Sequence, residues 1–403
     1  MEKEKKRIAL IVNTLANGGA ERVVSNLSLY LYEQYDIDII LNDTDKVGYP
    51  YKGELISLGL KPQINKRNLL YQAKLFITRT KRLKELKQKN KYIAAISFSD
   101  SANVANILSR KKGVKTILSV HTNITRQSRD FRYKYIVSPL IKYLYNGADS
   151  IVAVSDGVAD DLICHHGVDR DKITVIYNGC DITSIQSLSK EELTDQEKKW
   201  LEGDNIIATV GRLDDSKGQW HLIRALSRIK EHGMHFKLLI MGQGKLKAYL
   251  QELVDGLGMS DEVIFCGFCS NPFKILEKAD LFVSSSLYEG FPNNLVEALA
   301  CELPCVSTDF ESGAREIIAP NGINTCSDDI GLAEYGVIVP VCDGNHYNYN
   351  DPLSEQEILL SRAIEQILQD TTIRHKYKST AKKRAEELGI EFTSKMWQKC
   401  IES

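Results

Sequence analysis

Short apolar runs alternate with amphipathic stretches along almost the whole chain. Residues 7–15, 37–41, 93–98, 116–120, 151–154 and 173–176 read as buried strands, with a shorter one near 55–58. Between them, apolar residues recur at helical spacing over 20–33, 68–89, 102–108 and 133–145, and Ser155-Asp156 caps a further helix. The stretch 183–204 is polar, with helical runs and no strand signal. After it the scheme repeats, with strands expected at 206–210, 237–241, 263–265, 281–284, 304–307 and 337–339. A helix is expected over 294–301. A polar segment, 345–352, precedes helices over 354–369, 373–388 and 393–401. Strands that alternate with helices predict parallel sheets covered on both faces. The expected fold is therefore α/β, with two Rossmann-like doubly wound domains. Residues 1–182 would form the first, 183–204 the linker and 205–388 the second, while 389–403 would return as a helix to the first. Such sheets bind ligands outside the carboxyl ends of their strands. If the two sheets face each other, both sets of strand ends look into one cleft.

Composition narrows the class. The chain has 403 residues, 43% hydrophobic and 26% charged, as expected of a soluble globular protein. No apolar run approaches the ~18–20 residues of a membrane span. The first apolar run passes into Asn17-Gly18-Gly19 rather than a small-residue cleavage site, so it reads as a strand. Nine scattered cysteines point to a reducing compartment, hence the cytoplasm. The net charge of −1 conceals an asymmetry: residues 1–180 carry 29 Lys and Arg against 18 acids. The surplus concentrates in 61–91, with eleven cations and Glu85 the single acid. Arg79, Lys81, Arg82, Lys84 and Lys87 are its candidates for contact with an anionic surface, a membrane or a nucleic acid. The bland alternative is a solvated basic helix.

The candidate chemistry follows strands. Gly18-Gly19-Ala20-Glu21-Arg22 lets a backbone approach an anion at a helix start. It is neither GxGxxG nor a P-loop, which argues against nicotinamide dinucleotides and ATP hydrolysis. Arg212 and Lys217 lie in Gly211–Gly218 and would neutralise a diphosphate and the charge growing on it as it leaves; the alternative is a surface pairing with Asp214 and Asp215. Glu289 and Glu297 bracket a loop and a helix start, where carboxylates seek hydroxyls and free amides seek phosphate. That combination suits a nucleotide sugar. His121 ends a strand and is either structural or a donor to a sugar hydroxyl. Cys266 and Cys269 form a CxxC without a second pair, His165-His166 lacks metal partners, and the pairs Asp36/Asp38 and Asp43/Asp45 are discounted as metal motifs. No nucleophile elbow is present.

These residues resemble the retaining nucleotide-sugar glycosyltransferases of the GT-B fold, the large group 1 family, over nearly the whole chain. Glu289 to Glu297 matches the family's E-x7-E, and Gly211–Lys217, Gly18–Arg22 and Ala314-Arg315-Glu316 also match. Ser97-Phe98-Ser99-Asp100, Asn103 and Val120-His121 are similar to bacterial enzymes that extend undecaprenyl-diphosphate-linked oligosaccharides. The resemblance implies that Arg212 and Lys217 hold the donor diphosphate, with Gly18 and Gly19 nearby. It implies that Glu297 accepts from ribose hydroxyls, and that Glu289, with Gly290 and Phe291, contacts the transferred sugar. Asn294 and Leu295 would offer amides to phosphate, the backbone at Phe268 would meet the base, and His121 would lie near the anomeric carbon. It further implies a UDP-sugar such as UDP-GalNAc, no metal, no other cofactor and no nucleic acid. The acceptor would be a lipid-diphosphate-linked glycan at the inner leaflet of the cytoplasmic membrane, met by a peripheral enzyme. Ser312-Gly313-Ala314 departs from the Gly-Pro pair of many members. An epimerase, a transferase with a soluble acceptor, and a non-catalytic nucleotide-sugar-binding module are the competing readings.

Overall fold

The computed structural model describes residues 5–16, 18–45, 47–60, 69–127, 135, 138–323 and 329–403. The chain divides into two compact units, 1–179 with 390–403, and 180–389.

The first unit is built on seven parallel strands: β1 (Lys6–Ile11), β2 (Tyr35–Leu41), β3 (Glu54–Ser57), β4 (Tyr92–Phe98), β5 (Lys115–Val120), β6 (Ser150–Ala153) and β7 (Ile173–Val175). Their order is β3-β2-β1-β4-β5-β6-β7, so the winding reverses between β1 and β4. Both faces of the sheet are buried, hence the near-continuous apolar runs. On one face Ile8, Leu10, Leu27 and Phe98 pack with Trp397 and Ile401 of the terminal helix Ile390–Glu402. On the other, Ala9, Ile11 and Ala95 pack with Leu83 of the helix Leu69–Lys89 and Ala102 of the helix Asp100–Leu108. The expected starts of the 68–89 and 133–145 helices, and Asn17 of the turn, lie outside the described residues; a helix is described at Ser138–Leu144.

The second unit repeats the plan with β8 (Ile206–Val210), β9 (Lys237–Met241), β10 (Val263–Gly267), β11 (Leu281–Ser284), β12 (Cys305–Thr308), β13 (Gly331–Leu332) and β14 (Val337–Val339). The order is β10-β9-β8-β11-β12-β14-β13, with β13 alone antiparallel among the described strands. Its winding reverses between β8 and β11. The polar stretch expected as a connection with helical runs carries two helices, Ile182–Ser189 and Asp195–Trp200, and lies within this unit. Asn271 donates to Leu188 O (2.8 Å) and Lys274 pairs with Glu197 (2.8 Å). The stretch is held by these side-chain bonds together with the burial of Ile185.

Candidate functional site

In the second unit the loops after β8 and β11 are neighbours because the strand order reverses there, the usual place for a ligand in such sheets. Gly218, at φ +56°, ends the first loop; a Cβ there would meet Ser285 O at 2.5 Å. The two loops are laced together. Leu287 N donates to Ser216 O (2.8 Å), Ser285 Oγ to Lys217 O (3.0 Å) and Asn294 Nδ2 to Val210 O (2.7 Å). Across this seam Lys217 forms an ion pair with Glu289, and both side chains are largely buried. Ser286 Oγ donates to Glu289 Oε1 (2.9 Å), and Thr308 Oγ1 donates to Ser286 O (2.5 Å). Ser286 and Thr308 are not among the residues expected at the site. The run Ser284-Ser285-Ser286, which closes β11 and opens its loop, is the signal in the sequence for Ser286.

The remaining expected residues divide. Arg212 does not join Lys217: its Nε lies 3.4 Å from Asp214 Oδ2 and its side chain is 78% exposed, the surface pairing weighed above. The helix carrying Glu297 runs Asn293–Ala300, so Glu297 lies beyond its first turn and is buried. An N-terminal charge effect therefore does not account for it. Asn294 Oδ1 is a buried acceptor with no partner among the described residues. Leu295 is fully buried and Phe291 nearly so. Gly290 is also buried, in the turn before that helix. Gly313, at φ +93°, packs on the same turn; a Cβ would stand 2.7 Å from Pro292 Cδ. Phe268 follows β10 and is 61% exposed, an uncovered ring at a carboxyl strand end.

In the first unit, Gly18 caps the helix Gly19–Leu31. The carboxylate of Glu21 lies over it: a Cβ on Gly18 would meet Glu21 Oε2 at 2.1 Å, and Thr14 Oγ1 donates to Glu21 Oε1 (3.1 Å). The helix start is therefore already faced by an anion. His121 follows β5, with Nε2 2.9 Å from Ser119 Oγ and its ring 5.9 Å from that of Phe98. Burial lowers its pKa to about 4, so it is neutral near pH ~7. Asp161 Oδ2 accepts from Ile124 N (2.7 Å) and anchors the chain after His121, with His166 Nε2 3.7 Å away. The histidine pair thus supports a loop. Asp38 is likewise structural, accepting from Tyr92 OH (2.5 Å). Burial raises the Cys266 thiol to about 12 and raises that of Cys269, so neither is a reactive thiolate.

The basic helix is corrected at two positions. Lys87 is 1% exposed and donates to Asn106 O (3.0 Å) and Oδ1 (2.6 Å); burial lowers its pKa to about 7. Arg79 is buried and donates to Asn13 Oδ1 (2.6 Å) and Ser101 Oγ (3.2 Å). A helix face that meets a sheet buries whatever it carries; Lys87 is met by Asn106, whereas Arg79 is met only at Nη1, its Nε and Nη2 being without partners among the described residues. Lys81, Arg82 and Lys84 are exposed, Arg82 also donating to Leu58 O. Among the described residues no helix is long and apolar enough to cross a membrane, and no group of three or more His, Cys, Asp or Glu could hold a metal.

Residues 190–330 match the family described as glycosyl transferases group 1, and residues 17–184 match glycosyltransferase family 4. An uncharacterized glycosyltransferase of Methanocaldococcus jannaschii is 32% identical over 84% of this chain and 86% of its own. A Campylobacter jejuni protein is 30% identical over 94% of this chain and 95% of its own. It is the N-acetylgalactosamine-N,N'-diacetylbacillosaminyl-diphospho-undecaprenol 4-alpha-N-acetylgalactosaminyltransferase. Among solved structures, sucrose-phosphate synthase of Thermosynechococcus elongatus superposes with a TM-score of 0.76 at 18% identity, covering 98% of both chains. Anabaena HepE, in complex with UDP and glucose, superposes with a TM-score of 0.73 at 17% identity, covering 99% of this chain and 100% of its own.

Proposed function

The chain belongs to the group 1 glycosyltransferases, and from that premise we propose that it is a retaining enzyme using a UDP-sugar, with UDP-GalNAc the first candidate. The acceptor we propose is a glycan carried on a lipid diphosphate, in the assembly of a bacterial surface polysaccharide or glycoprotein. The observation that carries this reading is the Lys217–Glu289 pair at the β8/β11 reversal. It sets one cation, suited to a diphosphate, beside one carboxylate, suited to sugar hydroxyls. The Campylobacter relative supports the acceptor, and the HepE complex supports UDP.

In the proposed reaction the bond between the anomeric carbon and the diphosphate oxygen breaks, and the acceptor oxygen forms its bond on the same face. The acceptor proton passes to the departing phosphate oxygen. Lys217 stabilises the charge on that leaving group. Neutral His121 donates a hydrogen bond to the sugar rather than acting as an acid. Catalysis on this scheme needs no metal, so chelation should leave turnover unchanged.

A panel of UDP-, GDP- and ADP-sugars screened by thermal shift tests the donor, since a true ligand stabilises by mass action. The expected result is stabilisation by a UDP-sugar. Transfer assays with lipid-diphosphate-linked and soluble glycans test the acceptor, and product anomers read by NMR test retention. Preference for GDP- or ADP-sugars, equal use of soluble glycans, or an inverted product would each overturn its part of the proposal.

A further inference from the structure

The polar segment after β14 pairs with no strand among the described residues, yet its backbone is held on several sides. Trp220 Nε1 donates to Asn345 O (2.8 Å) and Tyr249 OH to Tyr347 O (2.7 Å). Arg224 donates to Asn348 O (2.7 Å) and Pro352 O (2.7 Å), while its Nε binds the buried carboxylate of Glu357 (2.9 Å). These carbonyls are satisfied by side chains of the same unit.

This loop reaches both loops of the Lys217–Glu289 seam. Its Gly344, at φ +77°, sits against Leu287; a Cβ there would meet Leu287 Cδ1 at 2.9 Å. Its His346 has Nε2 3.1 Å from Asp215 Oδ1, two residues before Lys217. The imidazole stacks on Tyr249 (5.0 Å between centroids, 19°) and meets Trp220 edge-on (4.6 Å, 74°). Two aromatic rings thus flank the imidazole that approaches Asp215, with both His346 and Asp215 43% exposed. Lys245 pairs with the other oxygen of Asp215 and holds that carboxyl below its ordinary range. The loop after β8 is also bonded to the turn after β9, through Leu213 N to Gln243 O (3.0 Å).

We propose that His346 is a positioning residue: through Asp215 it holds the loop that presents Lys217 to the donor diphosphate. The inference rests on the reading of Lys217 given above. His346 itself touches no reacting atom in this scheme. Its effect is on the geometry of a cation, where small displacements are costly.

The test compares His346→Ala, His346→Gln, Asp215→Asn and the His346→Ala/Asp215→Asn double variant, with Lys217→Ala as the reference. Donor KM, kcat, UDP affinity by calorimetry and Tm are measured for each. His346→Ala should raise donor KM and the UDP Kd by about tenfold with Tm nearly unchanged, and the double variant should be no worse than Asp215→Asn alone. His346→Gln keeps a donor and should restore most of the affinity. An unchanged donor KM and UDP Kd in His346→Ala would overturn the proposal, as would a full additional loss in the Asp215→Asn background. A loss confined to Tm would also overturn it. If Lys217→Ala itself leaves UDP affinity and turnover intact, the reading of the donor site fails. If Lys217→Ala is impaired and His346→Ala is not, only the positioning role fails.

Discussion

Lys217 and Glu289 answer one another across two loops, and Ser286 and Thr308 fix the carboxylate's side of the pair. Lys217→Ala and Glu289→Ala should each lower kcat/KM by about 10²–10³-fold, the scale of removing one preorganised group that meets developing charge. Circular dichroism should show both variants folded. Near-normal turnover in both would remove this seam from the chemistry. Gly313 tests the same turn from behind. Its positive φ and the 2.7 Å approach to Pro292 leave no room for a Cβ, so Gly313→Ala should cost about 1–3 kcal/mol in urea unfolding. His121 carries a pH prediction. Its folded pKa lies near 4, below the unfolded value near 6.5. Between those values the unfolded chain binds more protons, so this contribution to stability is complete above about pH 6.5 and is lost as pH falls toward about 4. Replacing His121 by Asn should flatten the stability profile in that window, measured by urea unfolding at a series of pH values.

The basic helix shows why charge counted along a chain differs from charge on a surface. Lys81 and Lys84 are exposed, whereas Lys87 and Arg79 turn inward to Asn106 and Asn13. If the exposed cations attract an anionic leaflet, each contributes up to about 1 kcal/mol. Lys81→Gln/Lys84→Gln should therefore weaken sedimentation with anionic liposomes, more at low salt than at high. Lys87→Ala should instead lower Tm, because Asn106 loses its buried donor, and should leave liposome binding as it was. Equal liposome binding by wild type and the Lys81/Lys84 variant would refute the surface role. Periodicity had placed this helix; it could not say that two of its cations would find polar partners beneath it.

At the scale of the whole molecule, the last helix belongs to the first unit. Trp397 packs 5.8 Å from Phe98, among Ile8, Leu10 and Leu27. Removing 390–403 would uncover that core, and a fully buried aromatic alone is worth about 3–5 kcal/mol. The truncated chain should unfold at markedly lower urea concentration than the full chain, with the loss assigned to the first unit by a tryptophan introduced there, since Trp397 leaves with the helix. A truncation with unchanged unfolding would mean the helix is dispensable.

The sequence by itself determined the alternation of strand and helix, the doubly wound class and the placement of each candidate loop just after a strand. Those properties reside in local pattern: buried parallel strands need unbroken apolar runs, and loops need glycine and polar residues. It also determined Lys217 and Glu289 as candidates, since their neighbours in the chain carry the signal. Tertiary structure decided which side chains meet. It paired Lys217 with Glu289 but Arg212 with Asp214, laid Glu21 over Gly18, drew Lys87 inward, placed the stretch that read as a connection within the second unit, and bonded the polar segment after β14 to Trp220, Tyr249 and Arg224. Several of these pairings join residues tens to more than a hundred positions apart. Their partners are chosen by packing and by the need to satisfy every buried polar group, and no local pattern records that choice.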